Sequence, residues 1–200
     1  MASTPTANTR TLQDLQNLTL KLINSYSSDG EPLTLADNAD ILQLVNDYLN
    51  IAYYEFAHLD KIMVSKDYTT ADETIRPDGV TKSYLLPEDY LDFYRLEYNT
   101  SNQEITDYDI RGNVLLTQTT SDPLTFWYYK LPDRLSELTD IPIIRAQYHD
   151  YLAYFPAGKW LHQNGKQADG IDLLVMYNDA KDAVIPMRQK GINRIRDVMN

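Results

Sequence analysis

Apolar residues recur at helical spacing towards both ends of the chain and fall into short alternating runs in its middle third. Leu12, Leu15, Leu18, Leu22 and Tyr26 predict a first helix ending near Ser25, and Thr11-Leu-Gln-Asp14 has the hydroxyl-to-carboxylate spacing of a capping box. Ser27 to Pro32 is a loop by composition. Thr34-Leu-Ala-Asp37 repeats the capping pattern ahead of a longer helix, in which Leu42, Val45, Leu49, Ala52, Phe56 and Leu59 share one face. Ile41, Tyr48 and Tyr53 widen that stripe, so this helix needs partners on more than one side.

From Met63 to Leu131 the helical period fades, and β-branched and aromatic residues come in short runs between turn residues. Asp72 to Gly79 is predicted as loop, Ser83–Leu86 as a strand stopped by Pro87, and Glu88–Phe93 as a helical turn with Pro87 at its first position. Tyr108–Ile110 and Val114–Thr117 flank Arg111-Gly112-Asn113, a predicted three-residue hairpin loop. Leu124, Phe126 and Tyr128 mark one face of a further strand, with Trp127 and Tyr129 on the other. A sheet of three or four short strands would have to lean on helices for stability.

Helix is expected again from Asp140 and Pro142, with Ile144, Tyr148, Tyr151, Leu152 and Phe155 on one face and a kink at Pro156 and Gly158. Asn164-Gly165 is the stop signal. A last helix from about Ala168 carries Ile171, Leu174, Val175 and Val184, with Pro186 disturbing its final turn. The predicted fold class is α+β, an antiparallel helical bundle with an inserted small antiparallel β module. Its parts are a flexible N-terminus (1–10), the first half of the bundle (11–62), the β-rich module (63–135), the second half of the bundle (136–187) and a C-terminal tail (188–200).

Charge is uneven. Residues 1–100 hold 7 basic and 16 acidic side chains, a net of −9, whereas residues 101–200 hold 11 and 13, a net of −2. An acidic body disfavours wrapping nucleic acid, because such binding is built on neutralising phosphates. The tail is the exception: Arg188, Lys190, Arg194 and Arg196 accompany Ile192, Ile195 and Met199, which fall on one helical stripe beyond Gly191. A short basic, partly apolar tail on an acidic body has the character of a docking peptide. With no cysteine there is no disulfide framework, thiol nucleophile or Cys-built metal site. No 18-residue apolar run occurs and residues 1–10 lack a signal-peptide core, so an unsecreted protein without a membrane span is expected.

Motifs for catalysis are scarce. His58, His149 and His162 include no pair at the spacing of a helical metal site, and there is no Gly-x-Ser-x-Gly elbow. Gly165-Lys166 fails as a phosphate loop, with Trp160 in the place of the first glycine and Gln167 in that of the hydroxyl residue. Asp107-x-Asp109-x-Arg111-Gly112 puts an arginine where a calcium loop needs a ligand. Glu88/Asp89 and Asp107/Asp109 are expected to be solvated. The expectation is a protein that is not an enzyme and uses neither metal nor cofactor. Its 16 tyrosines, with polar tips on apolar rings, suit partly wet protein contacts. Tyr53, Tyr54, Tyr151 and Tyr154, which come in pairs that cannot all face one core, are the candidates on the helices, and Trp127 and Tyr129 those in the β module.

The succession Tyr84-Leu-Leu-Pro87-Glu-Asp89-Tyr-Leu91, Tyr108-x-Ile110-x-Gly112-x-x-Leu115, Phe126-Trp-Tyr-Tyr129-Lys-Leu-Pro132 and Leu138-Thr-Asp140-Ile-Pro142 resembles the head-to-tail adaptor (connector, or head-completion) proteins of tailed bacteriophages. The resemblance spans about residues 35–185 and rests on the order and spacing of these motifs. It implies antiparallel helices with a β-rich insertion, and a ring of usually twelve copies beneath the portal, in the virion neck, assembled in the host cytoplasm. It also implies that residues 188–200 dock into the portal protein, that the next neck or tail-completion protein binds the opposite side, and that genomic DNA passes an acidic lumen without specific binding. A tail-side connector or stopper is the near alternative. A carboxylate-pair hydrolase and a monomeric ligand-binding module with a tyrosine-rich sheet are the alternatives from other classes.

Overall fold

The computed structural model describes residues 9–26, 34, 39–118 and 123–198, with backbone alone at 26 and 185–198. It is a mixed α+β chain with two antiparallel sheets. The chain divides into two compact units: residues 1–60 with 132–200, which are helical, and residues 61–131, which are β. No described helix is long and apolar enough to cross a membrane.

In the helical unit, α1 (Leu12–Tyr26) begins as its sequence requires. Thr11 N–H and Oγ1–H both donate to Asp14 Oδ2, at 3.0 and 2.9 Å, and Asp14 N–H donates back to Thr11 Oγ1. α2 (Ala39–Asp60) buries Val45, Leu49, Ala52, Tyr53 and Phe56, much of the predicted stripe. The loop at 27–32 and most of the second capping pattern lie outside the described residues.

The strongest departures come after Pro132. No helix starts at Asp140. Residues 132–145 run as an irregular segment whose main chain bonds the side chains of Asn50, Tyr53 and Asp60 on α2, and helix begins with a 3₁₀ turn at Ala146–Tyr148 and α3 (His149–Leu152). Asn50, buried within α2, accepts from Leu135 N–H (2.8 Å) and donates to Leu135 C=O (3.1 Å), completing the hydrogen bonding of an irregular backbone. Replacing Asn50 by alanine strands both groups, so urea unfolding should show a loss of about 2–3 kcal/mol. A change below about 1 kcal/mol would mean that the segment finds other partners.

The break expected at Pro156 and Gly158 falls instead at Ala153, and α4 (Tyr154–Gln163) contains both residues. Pro156 sits in its first turn, where a missing N–H costs nothing. Gly158 faces Gly170 on α5 (Gln167–Val198), where the two backbones nearly touch. α4 ends as its sequence predicts: Gly165 takes φ +82° and Lys166 N–H bonds Leu161 C=O at 3.0 Å, the Schellman pattern.

α5 buries Leu173, Tyr177, Ala180 and Val184; of the predicted set Val184 is in the core and Leu174 half-buried, whereas Ile171 and Val175 are each 50% exposed. The burying stripe contains a tyrosine and an alanine, which hydropathy ranks low, but Tyr177 packs on Phe56 and Phe155 and its hydroxyl donates to Glu55 at 3.0 Å. α5 also continues through Pro186 and Gly191 to Val198. A proline removes one donor and a glycine weakens the helix by about 1 kcal/mol, and a ladder this long retains its remaining bonds.

The β unit has more strands than expected. Among the described residues it has seven: β1 (Met63–Tyr68), β2 (Thr74–Ile75), β3 (Lys82–Leu85), β4 (Tyr90–Tyr98), β5 (Tyr108–Arg111), β6 (Val114–Thr117) and β7 (Leu124–Lys130). They form a sheet of order β1-β7-β4 and another of order β2-β3-β6-β5, antiparallel throughout. The predicted helical turn at Glu88–Phe93 does not form: only Glu88 and Asp89 turn, and β4 begins at Tyr90. Register shifts at Tyr90/Asp92 and Phe93/Arg95 interrupt the alternation that would have revealed the strand. The hairpin after β5 has a two-residue loop, because Arg111 pairs with Val114, and Gly112 supplies the positive φ (+61°) of a tight turn. Tyr68, Tyr84, Leu86, Leu96, Ile105, Leu115, Leu124, Phe126 and Tyr128 form a core wholly inside residues 61–131. The unit therefore has its own interior, against the expectation that its strands must lean on helices.

Candidate functional site

Alternation along β7 sends Leu124, Phe126 and Tyr128 into this core and leaves Trp127 and Tyr129 on the opposite face, half-buried. Cross-strand pairing builds the rest of that face, with Met63 and Asp92 beside Tyr129, and Ser65 and Arg95 beside Trp127. Tyr94 meets Tyr129 edge to face at 5.7 Å, and Lys61 Nζ lies 4.6 Å above the Tyr129 ring while pairing with Asp92 at 2.7 Å. Trp127 Nε1–H donates to Glu97 Oε1 at 2.6 Å, and the other oxygen of Glu97 lies 2.5 Å from Arg95 Nη2. Sequence reasoning flagged the rings but missed Glu97, a carboxylate only 3% exposed. It goes unnoticed in sequence because it stands next to Leu96 in a bulged strand whose faces cannot be assigned by counting.

In the helical unit the tyrosine pairs have different fates. Tyr53, expected at a protein contact, is instead 1% exposed; its hydroxyl accepts from Ile143 N–H at 3.0 Å, and burial raises its pKa to about 12. It is a core residue of the free chain, not a contact residue. Tyr54 stacks on it at 6.0 Å and lines a hollow of about 280 Å³ with Asp47, Asn50, Ile51 and Arg134. Arg134 pairs with Asp47 there. Tyr151 and Tyr154 meet edge to face at 5.5 Å, both half-buried. These pairs do not converge on one site. Ile51, in the hollow beside Tyr54, is 43% exposed, and the other exposed large apolar residues described in this unit are Leu138, Ile141 and Ile143 before α3 and Ile171, Val175 and Met176 on α5.

No family model and no curated protein matches the chain.

The flagged carboxylates also separate. Asp89 accepts from Tyr128 O–H at 2.8 Å, while Asp109 pairs with Arg111 at 2.6 Å on the exposed face of β5. Asp107 and Asp109 line a hollow of about 290 Å³ with Arg76, Asp78 and Arg111, so charges of both signs neutralise one another there. Among the described residues no group of three or more His, Asp or Glu side chains is placed to hold a metal. His58 and His162 are exposed, and His149 is 1% exposed with both ring nitrogens bonded. Of the tail, the backbone of Arg188, Lys190, Ile192, Arg194, Ile195 and Arg196 belongs to α5, and Met199 lies outside the described residues.

Proposed function

We propose that the chain is a structural protein of the tailed-phage neck, an adaptor that joins the head to the tail as a ring beneath the portal, in twelve copies, with its helices as an antiparallel bundle and DNA passing an acidic lumen. The observation that carries this reading is α5. It is 32 residues, roughly 48 Å, and only one side of its first half packs inside its own unit. Its outer side sets the apolar Ile171 and Val175 among Asp172, Asp179 and Asp182, a surface suited to another protein and unsuited to gripping DNA. Its basic end, Arg188 to Arg196, continues as helix and is the segment proposed to dock on the portal.

The motif succession supports the same reading, because its parts fall at structural junctions. Pro87 to Leu91 is the turn into β4, Gly112 the hairpin turn, and Pro132 the return to the helical unit. A ring is a closed heterologous assembly, so each subunit needs two different contact faces. Tyr54, Tyr151 and Tyr154 in the helical unit, with Trp127 and Tyr129 in the β unit, are the proposed contacts with neighbouring subunits or neck proteins. A tail-side connector would use the same surfaces in a different order along the neck.

Deleting residues 188–200 should leave the circular dichroism spectrum and thermal midpoint of the helical unit nearly unchanged, while abolishing co-sedimentation with purified portal rings. Electron microscopy of full-length chain mixed with those rings should show one added ring of density. Truncated protein that still binds would refute the docking role of the tail. Full-length protein that never associates with portal or native particles would refute the neck assignment.

A further inference from the structure

We infer that His149 is a proton-sensitive latch on the segment that leads into α1, holding it against α3 when neutral and releasing it when protonated. The ring bridges two segments that are remote in sequence. Its Nδ1 accepts from Arg10 N–H at 3.0 Å, and its Nε2 lies 3.0 Å from the carbonyl oxygen of Ile144. A carbonyl can only accept, so Nε2 carries the proton and Nδ1 is the bare nitrogen: one neutral tautomer satisfies both contacts. Protonating Nδ1 turns the Arg10 contact into two donors facing each other, inside a site where His149 is 1% exposed.

Burial and the neighbouring charges set the proton affinity of the ring. From its own helix His149 faces Asp150, whose charge favours the cation. From the N-terminal segment it faces Arg10, whose charge opposes the cation and whose guanidinium already occupies Asp150, with Nε donating to Oδ1 at 2.7 Å and Nη2 to Oδ2 at 3.4 Å. The 142–144 segment contributes the carbonyls of Pro142 and Ile144. The balance goes to burial, which holds the imidazole below its ordinary pKa. A folded-state pKa below the open-state value means that opening binds a proton. The latch is therefore fully closed above the ordinary histidine pKa and weakens as pH falls through and below it. Nearby backbone bonds tie the same segment down, from Leu12 N–H to Asp140 C=O (2.8 Å) and from Gln13 N–H to Leu138 C=O (3.1 Å). Opening would thus free the entry to α1 from the segment that precedes α3. The latch does not depend on the neck assignment.

Amide hydrogen exchange of the full chain tests it. Corrected for intrinsic rates, exchange at Arg10, Leu12 and Gln13 should accelerate by up to about tenfold between pH 7.5 and 5.5, while amides in the centre of α2 do not follow. His149→Gln keeps a donor and an acceptor but cannot take up a proton, and should abolish the pH dependence. If that variant fails to fold, the NMR titration of His149 in the wild-type chain decides: a midpoint below the ordinary histidine value supports the latch. A midpoint at or above that value would overturn it, as would exchange at Arg10 to Gln13 that tracks α2 at every pH.

Discussion

Phe126→Ala should cost the β unit about 3–5 kcal/mol, the largest single-residue effect expected in this protein. Phe126 is fully buried, and the rings of Tyr68, Tyr90, Phe93 and Tyr128 surround it with centroids 5.5–6.1 Å away. Four rigid rings cannot collapse into the space a benzyl group leaves, so the cavity cost adds to the lost transfer energy. A unit of 71 residues at ordinary stability has only about 4–11 kcal/mol to lose. The two tryptophans make the measurement selective, since Trp127 is in the β unit and Trp160 in the helical one. In a Trp160→Phe background, urea unfolding followed by Trp127 fluorescence should shift to a much lower midpoint. A loss of under about 1.5 kcal/mol would show that the aromatic cluster can repack.

Gly170→Ala should destabilise the helical unit by about 2–4 kcal/mol even though alanine is the better helix former by about 1 kcal/mol. A Cβ at Gly170 would lie 2.7 Å from both Gly158 O and His162 N, and one at Gly158 would lie 2.9 Å from Gly170 O. These are backbone atoms, so no side-chain rotation relieves the clash, and α4 and α5 must move apart. Separation would loosen the cluster in which Ile23 of α1 meets Ala157, Leu161 and Leu173. Gly165→Ala is the contrasting control. Its Cβ would meet nothing within 4 Å, and the only cost is the positive φ, about 1–2 kcal/mol. Thermal unfolding followed at 222 nm should rank Gly170→Ala well below Gly165→Ala. Equal midpoints would mean that the close helix crossing contributes nothing.

Much of the candidate contact surface was legible, in parts. Trp127 and Tyr129 were placed opposite Leu124, Phe126 and Tyr128 by a two-residue period, which a strand obeys whatever it packs against. Tyr53 and Tyr54 look alike in sequence, yet one is core and one lines the surface hollow. That difference depends on residues 132–143 folding back over α2, a contact about 90 residues away in the chain. Glu97 and His149 were hidden for a similar reason. Each hydrogen-bonds a partner far along the chain, Trp127 for one and Arg10 for the other.

What the sequence determined by itself was whatever depends on near neighbours. The capping box at Thr11–Asp14, the Schellman stop at Gly165, the hairpin at Gly112 and the α+β division along the chain all come from hydrogen bonds and periodicities within a few residues. The tertiary structure alone decided which face of α5 is buried, that Glu88–Phe93 lead into a strand, and that residues 132–145 stay irregular. In each case a distant partner outweighs local preference: Phe56 and Phe155 for Tyr177, β7 for the bulged β4, and Asn50 for the main chain of Leu135. Local propensities differ by tenths of a kcal/mol to about one per residue, whereas burying an aromatic ring or satisfying a buried amide is worth more, so the long-range contact prevails where the two disagree.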